Sequence, residues 1–168
     1  VGARLGDRVL EITTFRAESY TDDSRKPHVV YADDVETDLS RRDFTVNAMA
    51  LELTNDIPTL VDPHNGAVDL LQRVLRTPLS PQESFSDDPL RMLRAARFLT
   101  KLELVPEEGL LAAVTEMAPR LEIVSAERIR DEFEKIICTP HPTAGLWFLV
   151  ETGLSELFLP ELPAMRLE

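Results

Sequence analysis

Cysteine is almost absent. Cys138 is the only one in 168 residues, so no internal disulfide can form, which suits a reducing compartment and leads us to expect a cytoplasmic protein. Apolar runs of membrane-spanning length are missing as well. The opening residues, VGARLGDRVLEITTF, lack the basic-then-apolar layout of a signal peptide, so no membrane partner is expected. Three histidines, His28, His64 and His141, are scattered without ligand spacing, and with no Cys/His cluster a metal here would be a hard ion held by carboxylates. Basic residues are outnumbered, 18 against 30 acidic, for a net charge of −12. That balance argues against a protein that coats nucleic acid nonspecifically and requires any polyanion to meet a local basic patch. The chain opens on Val1 rather than a methionine and enters a strand-like segment at once; the expectation is of a piece of a longer protein that starts earlier and ends later.

What is present suffices for a core, since 43% of the residues are hydrophobic, and the length suits one domain or two small ones. Residues 8–16, RVLEITTFR, are β-branched, aromatic and alternating, which predicts a strand with Glu11 in its middle. Residues 17–26 are polar and turn-rich, a loop from which Tyr20 and Arg25 have reach toward a ligand or simply face water; a short strand over residues 28–32 follows. Residues 51–53 and 59–61 predict a hairpin, Asn65-Gly66 a tight turn, and residues 69–76 a short helical connection. Residues 77–82, TPLSPQ, divide a mixed half from a helical one. Helices are predicted from Asp88, with Pro89 at the first position, over 107–117, from Ser125, and over 143–152 up to Gly153. The fold class expected is therefore α+β: a mixed sheet with helices in residues 1–80, then an all-α region in residues 81–168.

Three features carry polar chemistry. In residues 38–50, DLSRRDFTVNAMA, Ser40 reads as an N-cap that sets Arg41, Arg42 and Asp43 in the first turn of a short helix anchored by Phe44, Ala48 and Leu51. Two planar guanidiniums at a helix start suit phosphate, and Asp43 suits a ribose hydroxyl; by itself the segment reads equally well as a capped surface helix. Glu11 is either the solvent side of an edge strand or a metal ligand. From Asp88 onward, Met92, Ala95, Ala96, Leu99 and Leu102 share one helical face and Arg94, Arg97 and Lys101 the other, with Arg91 at the border beside Asp87 and Asp88. A face of one sign calls for an anionic partner.

Taken together, EITTFR (11–16), RRDFTVNAMA (41–50), DPHNGAVDL (62–70) and DDPLRMLRAARF (87–98) resemble, in order and spacing, the class II nucleotidyltransferases, which comprise the bacterial tRNA CCA-adding enzymes and the related poly(A) polymerases. SAERIRDE (125–132) and GLSELFLPEL (153–162) are similar to the helical neck and body of that family. The resemblance implies that residues 1–80 are the C-terminal part of a palm-like head and residues 81–168 the neck and the start of the body, with base recognition and the RNA-binding side. It implies Glu11 as the catalytic, metal-ligating carboxylate, Arg42 on phosphate, Asp43 on ribose, Asp88 and Arg91 on the base edges of CTP and ATP, and Arg94 and Arg97 along the triphosphate path. Asp87 stands where the family carries glutamate, one methylene shorter with the charge kept.

Asp88 offers acceptors and Arg91 donors, a pattern that cytosine and adenine share and that guanine and uracil oppose. The reaction implied is attack of the tRNA 3′ hydroxyl on the α-phosphorus, with two magnesium ions as cofactors. The Gly-Gly turn and Asp-x-Asp pair of the family head would precede Glu11 and are absent here, so one of three expected metal ligands is present and the chain by itself is expected to be inactive. A poly(A) polymerase shares the same motifs, and a non-catalytic nucleotide- or RNA-binding adaptor would suit the acidic charge. Oligomeric state, the RNA-contacting residues and the presence of a phosphohydrolase domain are not legible.

Overall fold

The computed structural model describes residues 1–19, 28–31 and 34–165. Tyr20 and Arg25 lie outside the described residues, as does the end of the strand expected over residues 28–32.

The first half is built from hairpins. Strands β1 (Gly2–Leu5) and β2 (Arg8–Glu11) pair antiparallel, joined by a two-residue turn in which Gly6 takes the left-handed conformation, φ 60°, that such turns need and glycine adopts freely. Strands β3 (Arg16–Ser19) and β4 (His28–Tyr31) form the next pair, and β5 (Ala50–Glu52) and β6 (Thr59–Val61) the third, close to the expected hairpin. The single strand expected over residues 8–16 is in fact split. Strand β2 ends at Glu11, opposite Gly2, the Ile12 N–H donates to the Val1 carbonyl at 2.7 Å, and the next strand begins at Arg16. Glu11 therefore closes a strand and does not sit in its middle.

Helix α1 (Val35–Ser40) follows, and here the expectation is corrected. Asp34, not Ser40, is the N-cap: its carboxylate accepts from the Thr37 N–H at 2.7 Å. Ser40 ends the helix, with its hydroxyl donating to the Glu36 carbonyl one turn back at 2.8 Å. Arg41 is the C-cap, and the chain continues through a single 3-10 turn, Thr45–Asn47. Phe44 and Ala48 are buried as expected, but Leu51 faces solvent, because the segment is not one continuous helix. Helix α2 (Gly66–Gln72) begins at Gly66, three residues before the expected helical start, with Asn65 left-handed at φ 58° ahead of it.

A short parallel pair, β7 (Val74–Leu75) with β8 (Val105–Pro106), closes over the crossover made by α3 (Pro81–Asp87) and α4 (Leu90–Lys101). Parallel neighbours require such a connection. Ser80 and Glu83 form a reciprocal capping box on α3, with Pro81 at its first position, the arrangement that satisfies the first free N–H groups. The remaining helices are α5 (Glu108–Met117), α6 (Ala126–Ile137), α7 (Thr143–Glu151) and the short α8 (Glu161–Ala164). Helices α5, α6 and α7 match the expected periodicities to within a residue or two, while α8 answers to none of the helices expected.

Helix α4 is the hub. Its Met92, Leu93, Ala95 and Ala96 are fully buried in one cluster with Leu110, Val114, Leu121, Ile136 and Leu149. Gly145 lets α7 lie close against it: a Cβ there would stand 2.7 Å from the Ala96 carbonyl oxygen. Phe44, Val46 and Leu75, from the hairpin half, belong to the same cluster, so the turn after α1 is seated directly on α4.

Candidate nucleotide site

Phe44 is completely buried and meets Phe98 of α4 edge-on, with ring centroids 5.5 Å apart and planes at 73°. That contact fixes the three polar residues before it. The Asp43 carboxylate accepts from the Phe44 N–H at 2.9 Å and the Asn47 amide at 3.1 Å through one oxygen. Its other oxygen takes two donors of Arg94 at once, Nε at 2.8 Å and Nη2 at 2.5 Å, short bonds strengthened by charge on both partners.

From behind, α2 braces the turn. The Thr45 hydroxyl donates to the buried Asp69 carboxylate at 2.8 Å, and the Thr45 N–H to the Arg76 carbonyl at 2.9 Å. The Asp62 carboxylate receives the Gly66 and Ala67 N–H groups at 2.7 and 3.0 Å, which holds the start of α2. His64 in the same loop lies 3.1 Å from the Ser40 hydroxyl.

Both arginines before Asp43 rest on one buried carboxylate. Asp38 takes Arg41 through Nε and Nη2 at 3.1 and 2.7 Å, and Arg42 through Nη2 at 2.6 Å. The Arg42 side chain keeps 45% of its surface in solvent, against 24% for Arg41, so Arg42 is the one with donors open to a ligand.

Arg91 enters from α4. Its Nη2 donates to the Arg41 carbonyl at 2.5 Å and its Nη1 to the Ser84 hydroxyl at 2.9 Å, and its side chain is buried. Asp88 lies one turn earlier. One of its oxygens accepts from the Leu90 N–H at 3.1 Å, so it does cap α4, and the other accepts from Arg128 of α6 at 3.0 Å. Arg97 points instead toward α6, its Nε 2.9 Å from the buried Glu132 carboxylate. Burial holds the Arg97 guanidinium below the ordinary arginine range, Glu132 offsets part of that, neighbouring Arg94 adds to it and Asp43 offsets it further.

Arg42, Asp43, Asp88, Arg91 and Arg94 are thus gathered where the turn after α1 meets the start of α4, with Arg97 one turn further along. Glu11 stands on the exposed β1–β2 hairpin, and among the described residues no three His, Cys, Asp or Glu side chains come together as a metal site. The anionic partner called for by the single-sign face of α4 is met inside the protein by Asp43 and Glu132. Sequence reasoning passed over Asp38, Ser84, Arg128 and Glu132. For Glu132 and Arg128 a signal existed, since SAERIRDE places them four apart on one face of the next long helix; for Ser84, seven residues before Arg91 across a helix break, there was none.

A hairpin-rich half seated on a helical hub, with an Arg-Arg-Asp turn facing an Asp-x-x-Arg helix start, has the make-up of a nucleotidyltransferase head joined to its neck. The chain belongs to the poly(A) polymerase family of nucleotidyltransferases: residues 1–76 match the family model described as the poly A polymerase head domain, and residues 104–165 the one described as the probable RNA and SrmB-binding site of polymerase A. Among curated proteins it is similar to the CCA-adding enzymes of Streptococcus gordonii, 42% identical over 95% of this chain and 39% of the relative, and of Enterococcus faecalis, 38% identical over 98% and 43%. Among solved structures it is similar to the Bacillus stearothermophilus CCA-adding enzyme in complex with CTP, at TM-score 0.84, 32% identity, 98% of this chain and 40% of that one. The Thermotoga maritima CCA-adding enzyme complexed with tRNA follows at TM-score 0.70 and 33% identity, over 76% of this chain and 31% of that one. The chain spans about two-fifths of the length of the curated relatives it matches.

Proposed function

We propose that the protein is a tRNA nucleotidyltransferase that builds CCA on tRNA 3′ ends from CTP and ATP in the cytoplasm, releasing pyrophosphate. The observation that carries this reading is the docking of the α4 start onto the Arg-Arg-Asp turn, through Arg91 on the Arg41 carbonyl and Arg94 on Asp43. One nucleotide can be read at its base and held at its phosphates only if those two groups stand together. The bound molecules of the similar solved structures, CTP in one and tRNA in another, support the same assignment.

On this reading Arg42 meets phosphate, Asp43 the ribose, and Asp88 and Arg91 the base edge. Arg94 and Arg97 line the triphosphate path from partners, Asp43 and Glu132, with which phosphate oxygens would compete. The 3′ hydroxyl oxygen of tRNA forms a bond to the α-phosphorus as the bond from that phosphorus to the bridging oxygen breaks, and the leaving group is pyrophosphate. Residues 1–80 supply the head side of the pocket and residues 81–168 the neck side.

Magnesium is the expected cofactor. Glu11 offers the hard oxygen such an ion takes, but one exposed carboxylate does not build a site.

The test is incorporation by the full-length protein given tRNA lacking CCA, CTP, ATP and magnesium. A terminal CCA is the expected product; a homopolymeric A tail would make it a poly(A) polymerase, and CTP and ATP binding unaffected by Arg91→Ala would favour the adaptor.

A further inference from the structure

We propose that Ser84 is a specificity-positioning residue: its hydroxyl fixes the plane of the Arg91 guanidinium, and through it the preference for CTP and ATP over UTP and GTP, without touching the nucleotide. The inference rests on the base-reading role proposed for Arg91.

Arg91 is unlike the arginines around it. Arg41 and Arg42 rest on Asp38, Arg94 on Asp43 and Arg97 on Glu132. Arg91 is more buried than any of these, 9% exposed, yet among the described residues its hydrogen-bond partners are neutral oxygens: the Ser84 hydroxyl at 2.9 Å, the Ser84 carbonyl at 3.4 Å and the Arg41 carbonyl at 2.5 Å. A cation taken out of water without an anion is costly. Here it is held in place by dipoles, which orient it.

A guanidinium is a rigid plane, so anchoring both terminal nitrogens fixes its tilt as well as its position. Nη2 is anchored by main chain, which no substitution removes. Nη1 depends on Ser84, itself 3% exposed in α3, and chiefly on its hydroxyl, because the carbonyl contact is long. The N–H donors that remain are those available to a base. Cytosine and adenine present a ring-nitrogen acceptor beside an amino donor, whereas uracil and guanine present an N–H where that acceptor would be. Discrimination by one N–H direction is only as sharp as the plane is fixed.

Ser84→Ala removes one oxygen from a buried site and is the mildest variant available. Steady-state kinetics of the full-length protein on tRNA lacking CCA, with CTP, ATP, UTP and GTP, compared among wild type, Ser84→Ala, Ser84→Thr and Arg91→Ala, test the proposal, with melting temperature as a check on folding. The expected result is a KM for CTP raised about tenfold in Ser84→Ala, the scale of a hydrogen bond to a charged group. The CTP-to-UTP preference should fall by a similar factor, with kcat and melting temperature little changed, and Ser84→Thr, which keeps the hydroxyl, should restore the preference. If Ser84→Ala leaves the preference intact while Arg91→Ala lowers it, the positioning role is wrong and the Arg91 role stands. A preference lost in Ser84→Ala and not recovered in Ser84→Thr removes the hydroxyl from the explanation. If Arg91→Ala itself leaves the preference intact, both readings fall.

Discussion

Glu132→Ala should unlock the contact between α4 and α6. Arg97 Nε lies 2.9 Å from Glu132 Oε1, and Lys135 Nζ donates to Oε2 at 3.2 Å. The Arg97 N–H is not aimed at the oxygen, so the Arg97–Glu132 contact is an ion pair rather than a hydrogen bond. The carboxylate side chain is 3% exposed and that of Arg97 15%. At that separation and an effective dielectric of about 20 the gross attraction is about 6 kcal/mol, while desolvating each ion costs several kcal/mol, so the pair as a whole is close to neutral. Removing one partner is not neutral, because it strands the other: Arg97 would keep its burial cost and the repulsion from Arg94 and lose Glu132. The expected loss is about 3 kcal/mol, at the low end of the range for broken buried pairs because the Arg97 side chain keeps some water contact. Urea unfolding of wild type, Glu132→Ala, Arg97→Met and the Arg97→Met/Glu132→Ala double variant measures it, with the double variant expected to lose less than the sum of the singles. A loss under about 1 kcal/mol in Glu132→Ala, or strict additivity, would show that the pair does not couple the two helices.

Gly66→Ala should lose about 3 kcal/mol or more, since the new Cβ would stand 2.0 Å from the Thr45 carbonyl oxygen and 2.7 Å from its carbon, both main chain that cannot swing away; thermal unfolding measures it. Phe44→Ala should cost about 4 kcal/mol, because the ring is wholly buried against Phe98, and urea unfolding reads that loss directly. The Asp34 carboxyl is held below its ordinary value chiefly by the Thr37 N–H, and that of Glu83 chiefly by the Ser80 hydroxyl. A depressed carboxyl contributes stability above its unfolded pKa and loses it as the pH falls through the folded one, so both helix caps should weaken below about pH 4. In Asp34→Asn and Glu83→Gln, helical circular dichroism should accordingly depend less on pH in that range than in wild type.

The helical half was legible because its apolar spacing is regular: the α5, α6 and α7 boundaries follow directly from stripes such as Ile129, Phe133 and Ile136 and from stops at Pro119 and Gly153. The hairpin half was legible in kind but not in extent, since where a strand ends depends on its pairing; alternation in residues 8–16 runs on through residues 12–15, which lie between β2 and β3. The reversal at Ser40 has a similar origin. Serine before charged residues fits an N-cap, but it also fits the last turn of a helix, where its hydroxyl bonds back to a carbonyl, and only the Asp34 cap upstream decides between them. For the site, the residue types were readable from their motifs and the partners were not, because Asp43 finds Arg94 and Arg97 finds Glu132 across tertiary contacts that no local pattern encodes.

That reversal changes how the site draws an anion. A helix N-terminus would offer a phosphate free N–H groups and the positive end of a dipole. The turn at Arg41 instead follows the carbonyl end of α1, where the dipole favours cations and so helps to retain Arg41 and Arg42. The attraction for phosphate then rests on side chains alone. Asp38 is shared between two guanidiniums and Asp43 is matched by Arg94, and of the two arginines on Asp38 it is Arg42 that stands more in solvent, 45% against 24%. Arg91 in turn is held by the Ser84 hydroxyl and by two main-chain carbonyls. In a chain with net charge −12, the place assigned to phosphate is thus served by Arg42 and the place assigned to the base by Arg91, two cations brought together where the turn at Arg41 packs against the start of α4.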